Sequence, residues 1–417
     1  MPTFKHWNIF GAMKKLKTGW FILRFFFWFG LIKLLTLYFR IIPKKNPRKD
    51  VLYLESLPSD GAGYNYRARK WIELLNKKGW SVESRFIIEN AKDFFERTTA
   101  DNLQDFLIHS IRKQLSNVLY ARNFKVVIVR RNLLIYNQYG NLFMEKFLHA
   151  AVINSLLDFD DDLGYLMEDS KQSLFNKLLM RNQDHFYKSF CYYNGFITGT
   201  EYLKDLVIQK KPSIQVENIA VIPTCVDYTE RTPKSYDGCE SRPLVFGWIG
   251  GNHNLILLER IIPFLNDLSK EHDFSMLVIA GVNHYDFKAN FPVTFEQYSL
   301  ETEIEHLLKM DIGLMPLIDD QVSKGKCGFK LLQYMGLGIP SIGSAITVNT
   351  EIIDHERNGW LVYNEQDWSN TLQDALTQTS KLAAMGIEAR KKVDHHYSFQ
   401  SNFPSYKSFI EQFLKLT

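Results

Sequence analysis

Two textures alternate along most of the chain. Short unbroken apolar runs bounded by turn residues read as buried strands, and stretches with apolar residues every three or four positions read as amphipathic helices. The first strand is Val51-Leu52-Tyr53-Leu54, followed by a loop from Pro58 to Gly63 and a helix from Tyr66 to Lys78 that stops at Gly79. Further strands are read at residues 80–88, 125–129, 153–159, 195–198 and 219–222. After the turn-rich stretch Thr232 to Pro243 the alternation restarts, with strands at 244–249, 276–280, 312–315, 339–342 and 360–362. Helices are read there at 255–268, 301–309, 329–336 and 367–397. Alternation of this kind predicts an α/β protein with parallel sheets covered on both faces. Two Rossmann-like, doubly wound domains facing a cleft are expected, with ligands beyond the carboxyl ends of the strands.

The N-terminal texture is different. Trp20 to Ile42 is rich in Phe, Leu, Ile and Trp, preceded by Lys14, Lys15 and Lys17 and followed by Lys44, Lys45, Arg48 and Lys49. The run has the roughly 20 residues a bilayer span needs. It is interrupted by Arg24, Lys33 and Arg40, and such a charge costs roughly 2.5–3.5 kcal/mol at a bilayer centre. Its apolar part is too long for a signal peptide, and no small-residue cleavage site follows. The favoured expectation is an interfacial helix, with residues 14–49 meeting a membrane surface through aromatic side chains and lysines. A single pass and a buried helix packed on the protein stay open. The expected location is the cytoplasmic face of the cell membrane, peripheral or monotopic. The expected division is 1–49 as membrane-associating segment and linker, 50–235 as first domain, 236–395 as second domain, and 396–417 as a C-terminal helix returning to the first.

Composition narrows the partners. A chain of 417 residues suits two domains. A formal net charge of +4 gives no reason to expect nucleic acid. Cys191, Cys225, Cys239 and Cys327 show no C-x-x-C pair or His-flanked spacing, so neither a metal site nor a disulfide framework is expected.

Candidate chemistry lies at strand ends. Gly250, Gly251 and Asn252 close the first strand of the second domain, and paired glycines there let a backbone approach phosphate. The alternative is a tight turn before a helix. Gly325 to Pro340 reads G-K-C-G-F-K-L-L-Q-Y-M-G-L-G-I-P, a glycine-rich turn feeding a helix, with Lys326 and Lys330 able to add charge toward a diphosphate. In the first domain, Asp160, Asp161 and Asp162 end a strand and suit an acceptor hydroxyl, a helix cap or Mg²⁺. Arg67 suits a phosphate or a solvated helix face, and Arg130 and Arg131 carry the same ambiguity.

Several blocks together resemble the donor half of GT-B retaining glycosyltransferases, in particular glycosyltransferase family 4. They are Asp311 to Leu317, Gly325 to Pro340, Asn349 to Ile353 and Asn358 to Val362, with Ala220 to Asp227 resembling the family's interdomain crossover. The resemblance implies a nucleotide-diphosphate-sugar donor on the second domain and a glycan or lipid-linked acceptor on the first, with no metal required. It implies donor contacts from Gly250, Gly251, Asn252, Lys326, Phe329, Lys330, Leu331 and Gln333, and acceptor-side roles for Gly61, Gly63, Arg67 and Asp160. Lys330, Asp160, Asp161 and Arg67 are the residues expected to serve catalysis. The family's Glu-x7-Glu pair falls on Gly325 and Gln333, so neither carboxylate is present. Gln333 keeps the capacity to hydrogen-bond ribose hydroxyls without the charge. A non-catalytic binding or scaffold protein and a sugar-nucleotide epimerase are the alternatives on this fold.

Overall fold

A computed structural model describes residues 6–44, 46–99, 102–134, 142–164 and 185–415. Lys45 and the side chains of Lys14, Lys15 and Lys17, read above as basic flanks, lie outside the described residues. The chain forms two compact units. The first holds residues up to Val221 together with Ser405 onward, and the second holds Ile222–Pro404. The stretch from Ile222 to Pro243 is part of the second unit: Val226 bridges to Ser398, and the buried Tyr236 hydroxyl donates to Asp311 O at 2.8 Å.

The first unit is built on a six-stranded parallel sheet in the order β2-β1-β3-β4-β5-β6. Its strands are β1 (Lys49–Glu55), β2 (Val82–Phe86), β3 (Phe124–Arg130), β4 (Asn154–Phe159), β5 (Gly195–Thr198) and β6 (Ile219–Val221). Alternation sends Leu52, Leu54, Val127, Val129, Leu157 and Phe159 into one core, shared with the helices Leu103–Ala121 and Phe143–Ala151. Tyr53 faces the other way, toward Trp71 and Tyr406. Tyr406 stacks on Trp71 with centroids 4.4 Å apart and hydrogen-bonds the Tyr53 hydroxyl. Tyr406 belongs to the C-terminal helix Phe399–Lys415, which is tied again to this sheet by Asn154 Nδ2 donating to Phe413 O at 2.8 Å.

Three charged residues share the last rung of this sheet. Glu55 pairs in register with Arg130, and Arg130 with Asp158. All three are at most 1 % exposed. Arg130 Nε donates to Glu55 Oε2 at 2.7 Å, and Arg67 donates to Asp158 Oδ1 through Nε at 3.0 Å and Nη2 at 2.8 Å. Arg67 sits in a π turn, Asn65–Arg69, between the helical segments Ala62–Tyr64 and Lys70–Lys77. Burial pushes the Glu55 carboxyl up to about 7 against the pull of Arg130, and burial also raises Asp158 against the pull of Arg67.

The second unit repeats the design with the order β12-β11-β10-β7-β8-β9, all pairs parallel. Its strands are β7 (Leu244–Ile249), β8 (Phe274–Ala280), β9 (Val293–Gln297), β10 (Ile312–Met315), β11 (Ser341–Ser344) and β12 (Gly359–Val362). One face carries Phe246, Trp248, Met276, Val278 and Leu314 into a core with the helices at 255–268 and 367–377. On the other face the helix Phe329–Gly336 lies close because Gly313 has no side chain. A Cβ there would meet the Tyr334 ring at 2.2 Å. The Tyr334 hydroxyl accepts from Ile249 N at 2.9 Å and donates to Leu314 O at 3.3 Å, tying the helix to β7 and β10.

Several expected elements change. The helix expected over 255–268 is two helices, Leu255–Glu259 and Ile262–Leu268, because Pro263 has no N–H to continue the ladder. The helix expected over 367–397 breaks at Gln378, where the Thr377 hydroxyl bonds back to Gln373 O and Asp374 O. The strand expected at 339–342 is Ser341–Ser344, since Pro340 supplies only its carbonyl, to Gly313 N. β9 was not expected; it is an edge strand with only Val293 and Phe295 as apolar residues, both half-buried.

Two outcomes follow from these contacts. Gly313→Ala drives a methyl into Tyr334 and should cost about 1–3 kcal/mol, as overpacking does, read as a fall in unfolding midpoint without loss of secondary structure. Glu55 binds its proton more tightly folded than unfolded, so its contribution to stability is present below the unfolded carboxylate pKa and is lost as pH rises through about 7. Denaturant titrations between pH 4.5 and 7.5 should show this decline, up to about 3 kcal/mol, and Glu55→Gln should remove the slope from this group.

Candidate functional site

In the second unit the order of strands places a topological switch between β7 and β10, where chain crossovers depart in opposite directions. β7 ends in the turn Gly250-Gly251-Asn252. Gly250 N donates to Ile279 O at 3.0 Å, and Asn252 Oδ1 accepts from Gly281 N at 2.9 Å, so the turn is pinned to the end of β8. A Cβ on Gly250 would lie 2.7 Å from Trp248 Cη2 and 2.8 Å from Lys330 Cε. Glycine leaves room beside the turn for the Trp248 ring and the lysine stem, and Lys330 Nζ sits 5.5 Å from the centre of the Trp248 ring. A sequence-distant lysine and a glycine turn are thereby brought together at the strand end.

The helix carrying Lys330 starts at Gly328, whose φ of +69° is left-handed and whose Cβ would strike Ile352 Cδ1 at 2.4 Å. That conformation and that crowding both demand glycine. Ahead of it, Asp320 caps the short helix Gln321–Lys324 by accepting from Ser323 N at 2.7 Å, and Ser344 Oγ accepts from Leu317 N at 2.9 Å. These bonds hold the loop from β10 to the helix. Lys326 and Phe329 are half-buried. The Leu331 side chain is in the core and its N–H donates to Gly328 O at 2.9 Å, so this residue is occupied by the helix itself. Gln333 is 3 % exposed, and its amide makes no side-chain hydrogen bond among the described residues.

The first unit also ends in a switch, between β1 and β3, in the order typical of flavodoxin-like sheets. Gly61 and Gly63 lie at the start of the helix after β1. A Cβ on Gly63 would come within 2.8 Å of Arg130 Nη2, so glycine leaves the guanidinium its place. Arg67 is no solvated helix charge: it is buried and committed to Asp158. Arg131, just past β3, has a left-handed φ of +66° and reaches Asp160 at 3.0 Å and Asp161 at 2.9 Å. Burial alone would raise the Asp160 carboxyl, but Arg131, Arg67 and Arg130 outweigh it and hold it well below the usual range. Asp162 turns elsewhere, accepting from Gly164 N and from the Tyr187 hydroxyl at 2.7 Å. Among the described residues no group of three His, Cys, Asp or Glu side chains is gathered to hold a metal ion.

Glu55 and the role of Asp158 were not anticipated. The available signal was an acid closing an apolar strand run, at Glu55 after Val51 to Leu54 and at Asp158 within Leu156 to Phe159. Register, which the sequence does not display, brings both beside Arg130.

Residues 244–379 match the family described as Glycosyl transferases group 1. No curated protein matches the sequence of this chain. Among solved structures, sucrose-phosphate synthase from Thermosynechococcus elongatus is similar at 12 % identity, covering 88 % of this chain and 100 % of that one, with a TM-score of 0.66. HepE from Anabaena, in complex with UDP and glucose, is similar at 12 % identity over 88 % and 100 %, with a TM-score of 0.60. The catalytic domain of starch synthase IV from Arabidopsis thaliana, bound to ADP and acarbose, is similar at 13 % identity over 88 % and 99 %, with a TM-score of 0.58. The two doubly wound units therefore have the GT-B fold, and the second unit carries a glycosyl transferases group 1 domain, the domain of a transferase.

Proposed function

We propose that the protein is a retaining glycosyltransferase of the family 4 type, moving a sugar from a nucleotide-diphosphate-sugar to a glycan or lipid-linked acceptor of the cell envelope. The observation that carries this reading is Lys330 lying across Gly250 at the end of β7. There an ammonium group and a bare backbone turn meet at the switch point, where a doubly wound sheet receives phosphate. UDP or ADP in the HepE and starch synthase IV structures supports a nucleoside diphosphate as the leaving group.

Transfer with retention asks the protein to stabilise negative charge growing on the departing diphosphate while the acceptor hydroxyl approaches the same face of the sugar. Preorganised N–H groups and fixed cations do this without a protein nucleophile. Lys330 is assigned as the first cation and Lys326 as the second; the scheme uses no metal. Asp160, kept ionised by three arginines, is assigned to the acceptor hydroxyl, and Arg131 fixes its orientation. Arg67 acts through Asp158 and the buried rung, as a positioning residue.

Gly325 and Gln333 favour one further reading, a nucleotide-sugar-binding protein without turnover, because both carboxylates of the family pattern are missing. A panel of uridine, guanosine and adenosine diphosphate sugars, assayed for nucleoside diphosphate release, separates the two. The enzyme turns over at least one donor, and the binding protein none. An epimerase would convert the donor sugar with no acceptor present.

Lys330→Ala should lower nucleoside diphosphate release by about 10²–10³-fold, the usual cost of removing one charge-stabilising donor, with an unchanged circular dichroism spectrum. Wild-type rates in that variant would remove the assigned site. Asp160→Asn should lower transfer to acceptor while leaving donor affinity, measured by calorimetry, within about twofold; equal losses in both would show that Asp160 has no acceptor role.

A further inference from the structure

The N-terminal helix, His6–Ile41, has two apolar faces with different fates. Phe25, Ile32 and Phe39, spaced seven apart, are buried at 6 %, 0 % and 6 % exposure. They face the helices Leu103–Ala121 and Phe143–Ala151. Phe25 and Phe29 meet the Phe143 ring edge-on at 6.1 and 5.4 Å, and Phe39 packs against Phe147 at 5.9 Å. Arg24 pairs with Asp105 at 2.7 Å, and the Arg122 guanidinium lies 4.2 Å from the centre of the Phe39 ring. The helix is thus fixed to the first unit from Arg24 to Phe39.

The opposite face is apolar and uncovered. Trp20, Leu23, Phe27, Leu34, Tyr38 and Ile41 follow one another at helical spacing, with Gly30 in the gap, and are 55–84 % exposed. Lys33 and Arg40 stand exposed beside them, and Lys33 Nζ lies 4.7 Å from the Phe29 ring. Residues 1–49 contain no Asp or Glu and eleven Lys or Arg.

We propose that this stripe is immersed in the headgroup boundary of an anionic bilayer, with the N-terminal helix lying in the membrane plane. Length and composition alone would let Thr18–Ile41 cross a membrane. Crossing is opposed by the packing: Ile32, near the middle of that stretch, is fully buried in the core that also takes in the helix Leu103–Ala121, and that helix bears Asp105, Arg112 and Lys113, which hydrocarbon would not accept. A second copy of the stripe is opposed by charge, since Lys33 and Arg40 on both copies would be brought together with no acid in the segment to pair them. An anionic surface satisfies both features, taking the aromatic and aliphatic side chains below the headgroups and the basic side chains among them. The inference is independent of the transferase reading.

Depth measurement tests it on the full chain. Leu23→Cys, Phe27→Cys, Leu34→Cys and Ile41→Cys, each made with Cys191→Ser and Cys327→Ser and labelled with an environment-sensitive fluorophore, are mixed with vesicles of phosphatidylcholine and phosphatidylglycerol. Leu23 and Ile41 are about 27 Å apart along a helix. The expected result is a blue shift at all four sites on vesicle addition, with equal quenching by shallow lipid-borne quenchers, and at least tenfold weaker binding to vesicles of phosphatidylcholine alone. A depth gradient, deepest near the middle of the stretch, would mean a span and overturn the proposal. So would no shift with vesicles, or a shift already present in a dimer without them. Phe27→Ser with Leu34→Ser should lower vesicle binding at least tenfold while the unfolding midpoint stays unchanged, since both side chains are outside the core.

Discussion

Glu55, Arg130 and Asp158 stand side by side at the carboxyl ends of three neighbouring strands, out of water, and much of the first unit is arranged around that fact. A buried charge is tolerated only with close partners, and removing one partner of such a pair typically costs about 3–5 kcal/mol. Arg130 answers Glu55, and Arg67 is brought in from the following helix to answer Asp158. Gly63 clears the volume that Arg130 fills. The aromatic pair of Trp71 and Tyr406 seals the same face and recruits the C-terminal helix to do so. Glu55 Oε1 and Arg130 Nη1 still lack a hydrogen-bond partner among the described residues, so the rung is held without being fully satisfied. Such a rung gives less stability than an apolar one would. Just beyond it at the same sheet end, Arg131 and Asp160 pair with each other at 3.0 Å.

The second unit solves the same problem of strand ends with little charge. Close approach replaces ion pairing: Gly313 and Gly247 let Tyr334 and Met310 lie against the sheet, and Gly250 lets Lys330 cross the end of β7. Lys330 is held by its stem beside a bare backbone turn, with its ammonium group near the Trp248 ring, whereas Arg67 and Arg130 of the first unit are paired with carboxylates.

Most strands were legible because each is a short apolar run, and β5, β7 and β10 fall on the residues read from the pattern. β9 was not, because an edge strand with two half-buried apolar residues carries too little periodicity to stand out. Helix breaks just before Pro263 and at Gln378 were missed where an apolar period runs on across the break. At the candidate site, the glycines and Lys330 were legible from turn chemistry, yet their contact was not, since it depends on a turn and a helix about eighty residues apart. Gln333, at a position that the resemblance links to a ribose contact, is 3 % exposed, and its burial is set by helix packing that the pattern does not display. Glu55 and Asp158 escaped notice for a related reason. Their meaning comes from strand register, and register is a property of pairing between distant segments.

The N-terminal helix shows how a fold can change the sense of a composition. Read along the sequence, its apolar residues form one continuous hydrophobic stretch of the length of a membrane span. Folding divides them by angle: those at seven-residue spacing, Phe25, Ile32 and Phe39, go to the protein, and those on the other side go to the surroundings. The helix could not then turn to stand across a bilayer without pulling Ile32 out of the core of the first unit. Fully burying one such side chain is worth about 1.5–3 kcal/mol, so withdrawing all three would forfeit about 5–9 kcal/mol, comparable with the whole stability of a typical domain. The core of the first unit, rather than the length of the hydrophobic run, therefore sets the orientation in which this helix can meet a membrane.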